Sequence, residues 1–193
     1  MEVTLRIPPP LETPLAVKRD GDTLRVLDGE TLVAEARTLP LDLDVPEPVG
    51  FEVAAARSAA QTPDPEHPFP ECFVCGPARS PGDGLCLRPA PGEGGRVAAA
   101  WVPTEEQAGR AELVWASLDC PGAFAVDERG DRGVSVLGRM HASVRGLPSA
   151  GEPCVVVGWS LGADGRRRFA GTALFGEGGR LLGLARATWS LLR

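Results

Sequence analysis

The sequence contains no asparagine and no tyrosine, a single lysine at Lys18, and only two histidines, His67 and His141, among its 193 residues. These gaps narrow the field before any motif is sought, because a histidine base or ligand must be one of those two. Long apolar runs are missing as well: no stretch approaches the roughly 20 consecutive apolar residues that a bilayer span requires. The opening residues, MEVTLRIPPPLE, lack a basic start followed by an apolar core. No secretory signal or membrane partner is therefore expected, and the pattern points to a soluble, cytoplasmic protein. The five cysteines, Cys72, Cys75, Cys86, Cys120 and Cys154, are odd in number, which without a signal favours free thiols over a disulfide framework.

A continuous basic surface is also lacking. The net charge is -6, and residues 1–71 carry 14 acidic and 6 basic side chains against 12 and 14 in residues 72–193. Phosphate backbones select basic surfaces, so no nucleic-acid partner is expected and only a small anion site is compatible. Apolar residues at 43% and charged residues at 24% suit one globular domain with a buried core.

What is present alternates. LAVKRDG and DTLRVLDGETLVAEART are segments of period two separated by Asp20-Gly21 and Asp28-Gly29, pairs that favour hairpin turns, so two or three antiparallel strands are predicted. VGFEVAAARSAA suits a short helix. The Pro- and Gly-dense QTPDPEHPFPECFVCGPARSPGDG predicts an ordered connector. GRVAAAWV predicts a strand, and AELVWASLDCPGAFAVDE a long apolar helix opening near Glu112 and kinked by Pro121, which has no amide donor. Val134 to Arg145 alternates as a half-buried strand; PCVVVGWSL, the turn Gly162 to Gly165, RRRFAGTALF, the turn GEGG and RLLGLARATWSLL then give a meander. So apolar a helix must be buried nearly all round, and a curved antiparallel sheet wrapping it is the economical α+β arrangement.

Five features invite a chemical interpretation. GWSLG, Gly158 to Gly162, spells a nucleophile elbow, but a turn and a strand follow it and both histidines precede Ser160, so a strand with glycines at its ends is expected. CFVCG, Cys72 to Gly76, is half of a zinc knuckle that His67 and Cys86 would have to complete; zinc signatures use two close pairs, so a compact loop with buried thiols, and neither metal nor cofactor, is the expectation. Of the run Arg166, Arg167 and Arg168, alternation lets at most Arg166 and Arg168 converge on one phosphate. His141 sits on the polar face of its strand, beside Arg139 and Ser143. Asp119, inside the apolar helix, is the strongest candidate, because a carboxylate losing its hydration must find a partner or shift its pKa upward; a local hydrogen bond near Pro121 is the bland alternative.

The segment from Arg96 to Arg193 resembles the hotdog-fold thioesterases, in which a sheet wraps one long helix, and LVWASLDCPGAFAV resembles their Leu-Ala-Asp helix segment. HPFPECFVCGPARSPGDG resembles the CFVCG-type leader of some bacterial members. The resemblance divides the chain into an N-terminal extension or degenerate hotdog half at 1–66, the connector at 67–95 and a hotdog domain at 96–193. It implies an acyl-CoA thioesterase of the phenylacetate-pathway-like branch, with Asp119 as base or nucleophile. Glu112, Val114 and Trp115 would stand where helix amides meet the oxyanion, with His141, Arg166 and Arg168 binding substrate. It implies a homodimer joined sheet edge to sheet edge. Where that branch has His-Gly-Gly ahead of the helix, this sequence has Ala111-Glu112-Leu113, and this departure supports the alternative of a non-catalytic acyl or CoA binder.

Overall fold

A computed structural model describes residues 1–126 and 134–192. The first strands are β1 (Glu2–Leu5), β2 (Ala16–Asp20), β3 (Thr23–Asp28) and β4 (Thr31–Arg37). Asp20 pairs with Thr23 and Asp28 with Thr31, so a two-residue loop opening on glycine closes each hairpin, as the Asp-Gly pairs predict. Those alternating segments give three strands, as expected, and the opening residues, ahead of the proline run, add β1, which pairs on both sides. Helix α1 (Phe51–Ala59) follows, then the connector, then β5 (Ala90–Pro91) and β6 (Val97–Trp101). The connector is ordered by its own backbone: the Leu85 amide donates to the Phe73 carbonyl at 2.9 Å and the Leu87 amide to the Val74 carbonyl at 2.8 Å.

The expected single long helix is instead two short ones, α2 (Ala111–Ser117) and α3 (Cys120–Val126). The residues Asp127 and Glu128, placed at its end by the sequence pattern, lie outside the described residues. Pro121 accounts for the break, because it has no amide to offer the Ser117 carbonyl four residues back, and α2 ends at Ser117. Between the helices the backbone tightens, with the Leu118 amide on Trp115 and the Asp119 amide on Ala116.

Strands β7 (Ser135–Val144), β8 (Cys154–Asp164), β9 (Arg167–Phe175) and β10 (Leu181–Leu191) complete the chain. The turn expected from Gly162 to Gly165 is tighter than that: β8 runs on to Asp164, and a register shift between Ser160 and Gly162 absorbs the extra residue as a bulge. One ten-stranded antiparallel sheet results, in the order β2-β3-β4-β1-β7-β10-β9-β8-β6-β5. Within it β1 pairs with β7, Val3 opposite Met140, and the Met1 ammonium donates to the Ala142 carbonyl at 2.7 Å. The expected homodimer was to join through exposed sheet edges. The β7 edge is closed by the chain's own β1, leaving β2 and β5 as the outermost strands.

The run Val155-Val156-Val157 shows why the C-terminal strands are so apolar. Val156 joins the cluster around α2, with Leu87, Val114, Leu118, Leu174 and Leu182. Val155 and Val157 face the other way, into a cluster with Ala54 of α1 and the apolar side chains of Leu41, Leu43, Val45 and Phe51. A strand covered on both faces has no polar face to present. Each fully buried Leu or Val contributes about 1.5–3 kcal/mol relative to exposure.

Candidate active site

The helix break creates the site. With α2 ended, the Leu118 carbonyl has lost its helical donor, and the hydroxyl of Thr172 on β9, fully buried, donates to it at 2.8 Å. Gly158 on β8 lets the start of α3 press against the sheet, since a Cβ there would stand 2.4 Å from the Pro121 carbonyl oxygen. The first glycine of GWSLG is thus a packing residue. Ser160 lies within the strand and its hydroxyl accepts from the Gly162 amide at 3.2 Å, so no elbow forms.

Asp119 sits at this break, and its Oδ1 is enclosed with no hydrogen-bond partner. Burial, and after it the neighbouring Cys72 sulfur, push its carboxyl up to about 7. Beside it three thiols converge. The sulfurs of Cys72, Cys75 and Cys120 all lie within 4.8 Å of one another, with Cys72 Sγ 3.6 Å from Cys120 Sγ. His67 adjoins the group, its Nε2 being 3.6 Å from Cys75 Sγ, while its Nδ1 accepts from the Phe69 amide at 3.1 Å. Hydrogen bonds from Cys120 and Cys75, joined by the backbone amides of Cys75 and Val74, hold Cys72 far below an ordinary thiol, and the same contact drives Cys120 upward.

The cysteine set differs from the one the spacing suggested. Leu85 and Leu87 are buried in the core, while Cys86 between them, in left-handed backbone at φ +51°, lines a cavity of about 150 Å³ whose walls include His67, Cys75, Arg88 and Phe124. Cys120 takes the place assigned to Cys86. No spacing rule could have found it, since it lies 45 residues beyond Cys75. Thr172 was equally invisible, because a threonine in an alternating strand gives no sign that it faces a broken helix.

The other expected site residues are dispersed. Glu112 is exposed and bonded to Arg110 at 2.7 Å. The Leu113 and Val114 amides both donate to the Arg110 carbonyl, so these amides of the first turn are already engaged. Val114 is fully buried in the core and Trp115 partly so. Met140 and Ala142 face the helices, so His141 between them faces away, with a ring nitrogen 3.2 Å from the Leu39 carbonyl. Arg166 and Arg168 lie at the β8–β9 hairpin, where Arg168 donates to the Gly165 carbonyl. Arg168 is four residues along β9 from Thr172, about 13 Å at strand rise. Asp119 lines none of three cavities among the described residues, those beside Arg57, Cys86 and Phe175.

The strand order β6-β8-β9-β10-β7, folded over the broken helix, is that of a hotdog domain, and known structures agree. A TesB protein of Mycobacterium avium subs paratuberculosis matches with a TM-score of 0.60 at 16% identity, over 100% of this chain and 77% of that one. AziG of S. sahachiroi matches at 0.52 and 15% identity, over 60% of this chain and 98% of its own. The TT0310 protein of Thermus thermophilus matches at 0.50 and 18% identity, over 59% and 99%. No family model and no curated protein matches the sequence. The likeness is one of fold: the chain has the hotdog fold. No helix among the described residues is long and apolar enough to cross a membrane.

Proposed function

We propose that the protein is an acyl-CoA thioesterase-like hydrolase in which Asp119 is the base or the nucleophile. The observation that carries this is the enclosed, unpartnered Oδ1 of Asp119 at a helix break inside a hotdog sheet. A carboxylate oxygen with no donor is available to take a proton, and burial withholds the water that would otherwise weaken it. As base it would remove a proton from water as that water attacks the thioester carbonyl; the C–S bond then breaks and the leaving CoA sulfur takes a proton. As nucleophile it would attack the thioester carbonyl and form an acyl anhydride as the C–S bond breaks and the CoA thiolate leaves; water then opens the anhydride to the free acid and Asp119.

The division at 66/67 and 95/96 belongs to the same proposal, with residues 1–66 as a reduced second half. It is supported by the TesB overlay, which spans the whole chain where the two smaller structures span about 60% of it. A second reading, a non-catalytic acyl or CoA binder, draws support from the engaged amides at the start of α2 and from those three cavities, none of which Asp119 lines.

The test is loss of thioester absorbance across a panel of acyl-CoAs, a readout that the protein's own thiols do not disturb. Wild type should turn over at least one member, and Asp119→Ala and Asp119→Asn should fall by about 10²–10⁴-fold. Equal rates in all three remove Asp119 from the mechanism; binding of CoA without turnover establishes the second reading.

A further inference from the structure

We infer that Cys72, Cys75 and Cys120 form a binding site for a thiophilic divalent cation, zinc in the first instance, that ties the CFVCG connector to the helix break. Three sulfurs mutually within 4.8 Å, drawn from segments 45 residues apart, are an unusual gathering of soft donors. Tetrahedral zinc–thiolate bonds of about 2.3 Å put neighbouring sulfurs about 3.8 Å apart, and Cys72 and Cys120 stand at 3.6 Å. A disulfide could join only two of the three, and would leave the third thiol against it.

The backbone supports the same assignment. The Gly76 amide donates to the Cys72 carbonyl at 2.9 Å, which closes CFVCG into the tight turn that brings Cys72 and Cys75 together. That turn needs Gly76, where a Cβ would stand 2.4 Å from the Pro70 carbonyl oxygen and 2.5 Å from the Cys72 nitrogen. On the other side, the break that Pro121 makes after Ser117 places Cys120 at the first residue of α3 and so fixes where that thiol emerges. Three protein donors leave a fourth position. His67 lies outside the three-sulfur group and its Nδ1 already accepts the Phe69 amide, so that position is left to water or an added ligand. Binding leaves all three sulfurs as thiolates, each one that was still protonated giving its proton to solvent, with no change of oxidation state.

The site is independent of whether Asp119 turns over a thioester, and its test reads metal rather than activity. Protein purified under reducing conditions without chelator should carry one zinc per chain by elemental analysis. Cobalt in its place should give the thiolate-to-metal charge-transfer absorption and the intense visible bands of four-coordination. Cys72→Ser, Cys75→Ser and Cys120→Ser should each weaken binding by at least about tenfold in competition with a chelator, whereas Cys86→Ser, Cys154→Ser and His67→Ala should match wild type. Three results overturn the inference: folded wild type, judged by circular dichroism, that takes up neither zinc nor cobalt; a Cys120→Ser protein that binds as wild type does; or mass spectrometry showing a Cys72–Cys120 disulfide in metal-free protein handled without oxidant. Because the first and third need no variant, a substitution that fails to fold does not rescue the proposal.

Discussion

The two ends of the sheet share one hydrogen-bond ladder but not one core. Among residues 1–37 only Thr4 and Val33 are buried, and every residue of β2 is exposed, Val17 at 66%. In β8, β9 and β10, by contrast, Val156, Ala173, Leu174, Leu182 and Leu184 are at 1% exposure or less. Pairing and burial are therefore separable contributions. The N-terminal strands satisfy backbone groups and close the β7 edge, while the apolar contacts that hold the fold are concentrated in the C-terminal half. Continuous pairing hides this asymmetry; side-chain exposure reveals it.

Substitutions at the two ends test this contrast. The largest effect is expected at Leu118, fully buried beneath the sheet: Leu118→Ala should cost about 2–5 kcal/mol in urea or thermal unfolding. Val17→Ala on β2 should change stability by no more than about 0.5 kcal/mol; comparable losses would show that the ends are energetically alike. Next comes the bond that holds the break. Thr172→Val keeps the shape but leaves the Leu118 carbonyl buried without a donor, at an expected cost of about 1–3 kcal/mol. A neutral result would mean that water reaches that carbonyl.

The smallest effect concerns Glu152, ahead of β8. Burial raises its pKa, but the Ser149 and Glu177 amides and Arg180 outweigh it, and the net shift is downward. A depressed carboxylate stabilises the fold at pH above its unfolded value and loses that contribution as pH falls through the folded one. Glu152→Gln should thus be less stable than wild type by about 1 kcal/mol at neutral pH, and the gap should close as pH drops below the ordinary glutamate value of about 4.3. A gap that persists in acid would assign the effect to packing. The N-terminal pair Arg6–Glu35 makes the counterpart: it is a surface ion pair, whereas Glu152 also accepts from two backbone amides, so Glu35→Gln should show less of this pH dependence.

Much of this architecture is written locally. Alternation gives the meander, Asp20-Gly21 and Asp28-Gly29 give the hairpins, and Pro121 marks where the helix fails, since each depends on residues within a few positions of one another. The candidate site is legible only at Asp119, whose charge is out of place in an apolar stretch. Its companions are not, because they arrive from far along the chain: the Thr172 hydroxyl at the Leu118 carbonyl, and Cys120 at the CFVCG turn. Spacing favoured Cys86, which lies outside the three-sulfur group.

By itself, then, the amino-acid order determined the elements, the place of the helix break and the carboxylate there, because propensity, periodicity and a missing proline amide act over short range. Tertiary structure alone decided that β1 would close the β7 edge, that Cys120 would meet Cys72 and Cys75, and which residues named as a site would be scattered. Those outcomes turn on which surfaces meet once the sheet folds over the helices, and no local pattern encodes a contact between residues 45 or more apart.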